Sequence, residues 1–207
     1  MRSGRIWWLA AGGTAAVIAG GCLAVWLAAR GPALVPDPAR ARAMMPAIIA
    51  YLDSPAYRQD GIGGYSAADY QAGRVRWLCG AALVEVRPDA GRWRAGMDVV
   101  CGDYDRRGGK MYLDLGGDMG HVVMVLSDDG RYRVLSVAQE PGITPDPAWI
   151  DQHFSVGAAA EINSDRGPLA SMPDNRALLA FGCAPGAKSS VVPDGQGYSS
   201  AWPCQPA

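Results

Sequence analysis

Two histidines and five cysteines hold most of the chemistry open to this chain. His121 stands in Asp118-Met119-Gly120-His121, at the start of a strand, and His153 in Trp149-Ile150-Asp151-Gln152-His153-Phe154. Either imidazole, set beside a carboxylate, could serve as a general base or acid. Nothing in their spacing brings the two together. A histidine hydrogen-bonded at a strand or helix end is the more ordinary reading of each. Met119, His121 and Met124 could hold a soft metal such as Cu(I), but core methionines beside a loop histidine account for the same residues. No C-x-x-C spacing, nucleophile elbow, Walker loop or dinucleotide fingerprint occurs. The expectation is no assigned catalytic residue, no metal and no cofactor.

The cysteines have a more specific reading. Cys22 falls within the apolar N-terminal run; Cys79, Cys101, Cys183 and Cys204 form an even set beyond it. Four cysteines allow three connectivities, and the strands around them select one. From Arg74 the apolar period becomes two. Val75, Trp77, Cys79, Ala81 and Leu83 share a face, Pro88-Asp89-Ala90-Gly91 forms a turn, and Trp93, Ala95, Met97, Val99 and Cys101 share the face of the return strand. A three-residue hairpin loop, with Pro88 opposite Arg92, sets Leu83 against Met97, Ala81 against Val99 and Cys79 against Cys101. Directly opposed antiparallel residues meet the Cα spacing of a disulfide. Cys183–Cys204 is left as the second bond. It closes a loop of about twenty residues, worth about 3 kcal/mol in the chain-entropy account.

The flanking elements follow from caps and turns. Asp37-Pro38 starts a helix that runs to about Leu52, with Ala41, Met45, Ile48 and Leu52 on one face and Asp53-Ser54-Pro55 as its stop. Ser66 and Asp69 are spaced as a capping box for a short helix. A second hairpin is predicted around Ser127-Asp128-Asp129-Gly130, with Leu126 opposite Tyr132 and Met124 opposite Val134. A shorter strand spans Met111 to Leu115 between the hairpins. Asp146-Pro147 caps a short helix from Ala148 to Phe154, and Asp174 caps another through Phe181. The Gly-, Pro- and Ser-rich remainder reads as an irregular tail. The fold class expected is α+β: an N-terminal helix packed on a five-strand antiparallel sheet, with short C-terminal helices.

One sheet face carries Trp77, Leu83, Trp93, Met97 and Val99. Covered by the helix it is core; if the sheet curves strongly, it lines an apolar pocket.

The chain begins with Arg2 and Arg5, then an uncharged run from Ile6 to Ala29, closed by Arg30. As a helix the run is roughly 36 Å long, enough to cross a bilayer core of roughly 30 Å. It reads as a single-pass anchor. A cleaved signal peptide and a lipid-modified Cys22 are the alternatives. Gly12, Ala16, Gly20, Ala24 and Ala28 form a small-residue stripe through which spans could associate. The organisation expected is residues 1–5 cytoplasmic, 6–29 the transmembrane helix, 30–36 a linker, 37–165 an extracytoplasmic domain, and 166–207 a disulfide-tied tail. Disulfides place that domain in an oxidising compartment. Only Lys110 and Lys188 are lysines among the 19 basic residues, a bias that fits a GC-rich genome such as an actinobacterium's. The net charge of −1 provides no basic field for nucleic acid.

The order of a helix at Pro38–Leu52, a short helix near Ser66–Ala72 and long antiparallel strands resembles the nuclear transport factor 2-like fold. The run Asp129-Gly130-Arg131-Tyr132-Arg133-Val134 is similar to its closing glycine-x-aromatic-x-valine pattern. The cystatin-like fold is the near rival. The resemblance covers roughly residues 37–140. It implies an accessory or assembly module of the cell envelope, and it carries no catalytic residue onto this chain. The function expected is a non-enzymatic, membrane-anchored module that binds a protein partner. The alternatives are an apolar small molecule or lipid held in a sheet pocket, and an enzyme using His121 or His153 with a carboxylate.

Non-reducing peptide mapping of native protein should recover Cys79 joined to Cys101 and Cys183 joined to Cys204. Free thiols at all four positions would overturn both the pairing and the compartment.

Overall fold

The computed structural model describes residues 37–58, 65–114, 119–142, 145–193 and 198–207. The span at 6–29, Cys22, the small-residue stripe through Gly12, Ala16 and Gly20, and the linker at 30–36 lie outside the described residues. Among the described residues no helix is long and apolar enough to cross a membrane.

The fold is α+β, built on one antiparallel sheet. Helix α1 spans Pro38–Leu52 and α2 Ala67–Gln71. Strands β1 (Val75–Asp89), β2 (Arg92–Arg107), β3 (Lys110–Asp114), β4 (Met119–Ser127) and β5 (Val134–Gln139) follow. Then come α3 (Pro147–His153), α4 (Val156–Ile162), α5 (Asp174–Ala180), β6 (Ser190–Pro193) and β7 (Tyr198–Pro203). The sheet therefore has seven strands, not five. The tail expected to be irregular supplies the two extra ones, β7 pairing with β3 and β6 with β7. Helix α4 was also not foreseen.

Strand β2 organises the sheet. It pairs with β1 along one edge from Arg92 to Asp105. Along the other edge its first half, Arg92–Val100, pairs with β4, and its second half, Asp103–Arg107, pairs with β3. With five residues, β3 cannot cover a strand of sixteen, and β4 takes the place beside β2 that β3 leaves.

Cys79 faces Cys101, with Cα atoms 4.0 Å apart, and Cys183 is bonded to Cys204. The predicted register holds from Leu83–Met97 down, but not above it. Pro88 faces Trp93, not Arg92, because the turn has two residues. Ala90 and Gly91 both have positive φ, +47° and +76°, which is the type I′ pattern favoured in two-residue hairpins. A bulge between Leu83 and Glu85 absorbs the extra residue.

The second hairpin departs further. Met124 faces Val137, and Leu126 faces Val134. Residues 128–133 form a wide loop in which Asp129 accepts hydrogen bonds from Ser127 Oγ, the Arg131 amide and the Arg133 guanidinium. These contacts hold its carboxyl down at about 2. Tyr132 adopts φ +49°, so the strand begins only at Val134.

Both sheet faces are covered. On one, α1 buries Met44, Ile48 and Leu52 against Trp77, Met97, Val99, Val122, Met124 and Leu126. Met44 is more deeply buried than the predicted Met45. The opposite face is covered by the C-terminal half. Val84, Val123, Ile150, Phe154, Ala158 and Ile162 form one cluster; Leu78, Tyr104, Met111, Leu178, Cys183 and Trp202 form another. Asp174 lies inside α5 and does not cap it; its carboxylate accepts the Tyr104 hydroxyl at 3.1 Å.

Two charged side chains seal the free edge of β1. Asp53 Oδ1 accepts the Cys79 amide at 2.8 Å, and Arg176 donates to the Cys79 carbonyl. The two are paired to each other at 2.7 Å. Together they supply the donor and acceptor that a neighbouring strand would have supplied.

The tryptophans differ in burial. Trp77 is 5% exposed and donates to the Leu52 carbonyl at 3.0 Å. Trp93 is half-buried under the Arg40 guanidinium, 3.7 Å from its ring centroid. Trp77→Ala should cost about 3–5 kcal/mol in urea denaturation of the full chain. Trp93→Ala should cost clearly less.

Candidate functional site

Three neighbouring strands place an acid, a histidine and an acid in one row across the sheet. Asp98 of β2 is directly opposite His121 of β4. Glu140, just beyond β5, continues the β4–β5 ladder and donates its amide to the His121 carbonyl at 2.9 Å. Directly opposed residues of antiparallel strands point to the same face, with Cβ atoms about 4.5–5.5 Å apart. All three side chains therefore lie on the face covered by the C-terminal half.

Glu140 fixes the histidine. Its Oε2 accepts His121 Nδ1–H at 2.8 Å and the His121 amide at 3.2 Å, and Oε1 accepts the amide of Asp146, the N-cap of α3. The glutamate side chain is 2% exposed and the histidine 12%. Because the carboxylate accepts from Nδ1, neutral His121 carries its lone pair on Nε2. The ring is also held edge-on to Phe154, with centroids 5.9 Å apart.

Asp98 is bound less completely. Oδ2 accepts the Ala170 amide at 2.6 Å. Among the described residues, no hydrogen bond reaches Oδ1 and no lysine or arginine is paired with the carboxylate. Burial raises its carboxyl above the ordinary aspartate value, against the lowering effect of the Ala170 amide and of His121.

These residues open into a cleft of about 490 Å3 between the sheet and its C-terminal covering. Pro145, Pro147, Ile162, Pro168 and Leu169 form its apolar wall. Leu169, at the rim, is 78% exposed. Asn163 and Asp165 add polar groups from the end of α4. Among the described residues, no lysine, arginine, serine, threonine or cysteine lines it.

The covering is held by charge as well as by packing. Arg87 and Arg94 both donate to the His153 carbonyl at the end of α3. Glu85, fully buried, accepts the amide of Ser155, the N-cap of α4. Cations meet the carbonyl end of one helix and an anion meets the amide end of the next, as helix termini favour. Gly96 makes the approach possible, since a Cβ there would lie 2.4 Å from the Phe154 ring.

The structure places the other candidate residues elsewhere. His153 donates Nδ1–H to the Trp149 carbonyl at 2.8 Å within α3 and stacks on the Trp149 ring at 4.1 Å. It does not line the cleft. Met124 is buried under α1, on the sheet face opposite His121, which separates these two members of the candidate metal set. Among the described residues no group of three or more His, Cys, Asp or Glu is arranged to hold a metal ion. Trp77, Leu83, Trp93, Met97 and Val99 belong to the core that α1 covers, not to the cleft.

No family model matches this chain, and neither does any curated protein or solved structure.

Glu140→Ala would leave two main-chain amides and an imidazole N–H without their acceptor. Each buried donor so stranded costs about 1–3 kcal/mol. The variant should lose roughly 3 kcal/mol or more in denaturant titration, with faster hydrogen exchange at the Asp146 amide. Glu140→Gln, which keeps an acceptor, should lose less.

Proposed function

We propose that this chain is an extracytoplasmic binding domain, tethered to the cell membrane by residues 6–29, whose cleft beside His121 takes a small molecule. The observation that carries the reading is the cleft itself. Its volume of about 490 Å3 lies within the range of small-molecule sites, and its walls are mainly apolar with a few convergent polar groups. The face of Trp77 and Trp93, which would line an apolar pocket in a strongly curved sheet, is covered by α1, so the support for a concave site lies on the other face. The tether rests on the uncharged run and the compartment on the two disulfides. The nuclear transport factor 2-like resemblance belongs to this proposal for its order of helices and strands.

A proton-transfer enzyme is the second reading. It is favoured by one specific contact: a buried carboxylate orients the imidazole through Nδ1 and leaves Nε2 free to exchange a proton. Among the described residues, no hydroxyl or thiol side chain lines the cleft beside it.

Asn163 lies exposed at the end of α4 and lines the cleft. Asn163→Trp should fill it while leaving the melting temperature within a few degrees, since exposed substitutions usually change stability by about 0.5 kcal/mol or less. In a deletion strain this variant should accumulate normally and fail to complement. Full complementation would remove the cleft from the function. A reporter fused after Ala207 should be active only outside the cytoplasm.

A further inference from the structure

We propose that the ligand of this cleft is a cation, a primary or secondary ammonium group on a small apolar body, with Asp98 as its counter-ion. The proposal rests on the binding reading above and adds the ligand's charge and the residue that selects it.

Asp98, Glu140 and Asp165 line the cleft as acidic residues, and among the described residues neither lysine nor arginine joins them. Glu140 is already committed, since it accepts from two amides and from His121 Nδ1. Any positive charge on His121 is therefore offset within that pair. Among the described residues, Asp98 is left with one amide donor on Oδ2, none on Oδ1, and no lysine or arginine partner. A carboxylate partly withdrawn from water without a cation is unfavourable, and a cation supplied by a ligand relieves it.

Other ligand charges fit less well. A carboxylate or phosphate would meet Asp98 and Asp165 with no lysine or arginine among the described residues to receive it. A neutral ligand without a donor would exclude water from Asp98 and leave Oδ1 unbonded, and a hydroxyl would bond Oδ1 without offsetting its charge. An ammonium group placed between the opposed Asp98 and His121 can donate to Asp98 Oδ1 and to neutral His121 Nε2 together. Its apolar body would lie against Ile162, Pro147 and Pro168 and cover the exposed Leu169.

The test uses the full chain in lipid nanodiscs, with empty nanodiscs as the blank. Calorimetric titration compares three probes with one body: cyclohexylmethylammonium, cyclohexylmethanol and cyclohexanecarboxylate. The ammonium should bind at least tenfold more tightly than the alcohol, and the carboxylate should show no binding. Asp98→Asn should abolish the ammonium's advantage and leave the alcohol's affinity unchanged. The Asn carbonyl can still accept the Ala170 amide, so the variant should fold, and its melting temperature checks that it does. If it does not fold, the wild-type comparison of ammonium and alcohol still decides. Equal affinity for the two, or an ammonium preference that survives Asp98→Asn, would overturn the assignment. Alcohol binding that Asn163→Trp blocks would, in that case, leave the binding reading standing. Failure of all three probes to bind would overturn the cation proposal as well.

Discussion

The structure depends on one strand whose two faces and two edges must all be satisfied at once. Strand β2 is sixteen residues long and has few positions open to water. A strand buried on both faces needs a layer on each side. The N-terminal helix supplies one. The C-terminal half supplies the other, which is why residues after β5 cannot be a loose appendage. Both edges of β2 are likewise taken, by β1 on one side and by β4 and β3 in succession on the other.

The second layer can approach only where the sheet face is made small. A Cβ on Gly80 would lie 2.0 Å from the Ser171 carbonyl oxygen, and one on Gly102 would lie 2.4 Å from a Leu113 methyl. With Gly96 beneath Phe154, these glycines give that face space for other groups to press close. The disulfide Cys183–Cys204 and the pairing of β7 with β3 then hold the far end of the chain. At the free edge of β1, Arg176 from α5 reaches Asp53 at the end of α1, so the two layers also meet around the sheet.

How much of this was legible in the sequence depends on the range of the signal. The lower half of the first hairpin could be read because alternation and two cysteines constrain one register independently. Its upper half could not: Ala90 adopts positive φ without being glycine, and nothing local marks the bulge at Val84. The caps at Asp37, Ser66 and Asp146 were readable because capping is a matter of neighbours. Strands β6 and β7 were missed because four and six residues rich in Ser and Pro give little period to detect. The site was missed for a more specific reason. The predicted second hairpin set Met124 against Val134, a register that would place Val137 opposite His121. The wide loop at 128–133 shifts the strand by three residues and brings Glu140 there instead. Asp98 joins only through the pairing of β2 with β4, which skips a strand and leaves no mark in local sequence. A histidine that looked incidental thus acquired two carboxylates from long-range register alone.

The same face explains why a cleft exists at all. Where it carries glycine, the covering segment and its side chains lie close against the sheet. Where it carries Asp98 and His121, the covering touches it only in part, with the Ala170 amide on Asp98 and the Phe154 ring edge on His121. Burying those groups fully dry would strand a carboxylate oxygen and an imidazole nitrogen. The covering is pinned on either side of the row, at Ser155 by Glu85 and at Ala170 by Asp98 itself. Between those pins α4 and the segment after it bridge over the polar row instead of packing onto it. The cleft thus follows the alternation of glycine with polar residues along that face, and Asp98 and His121 are the groups that open into it.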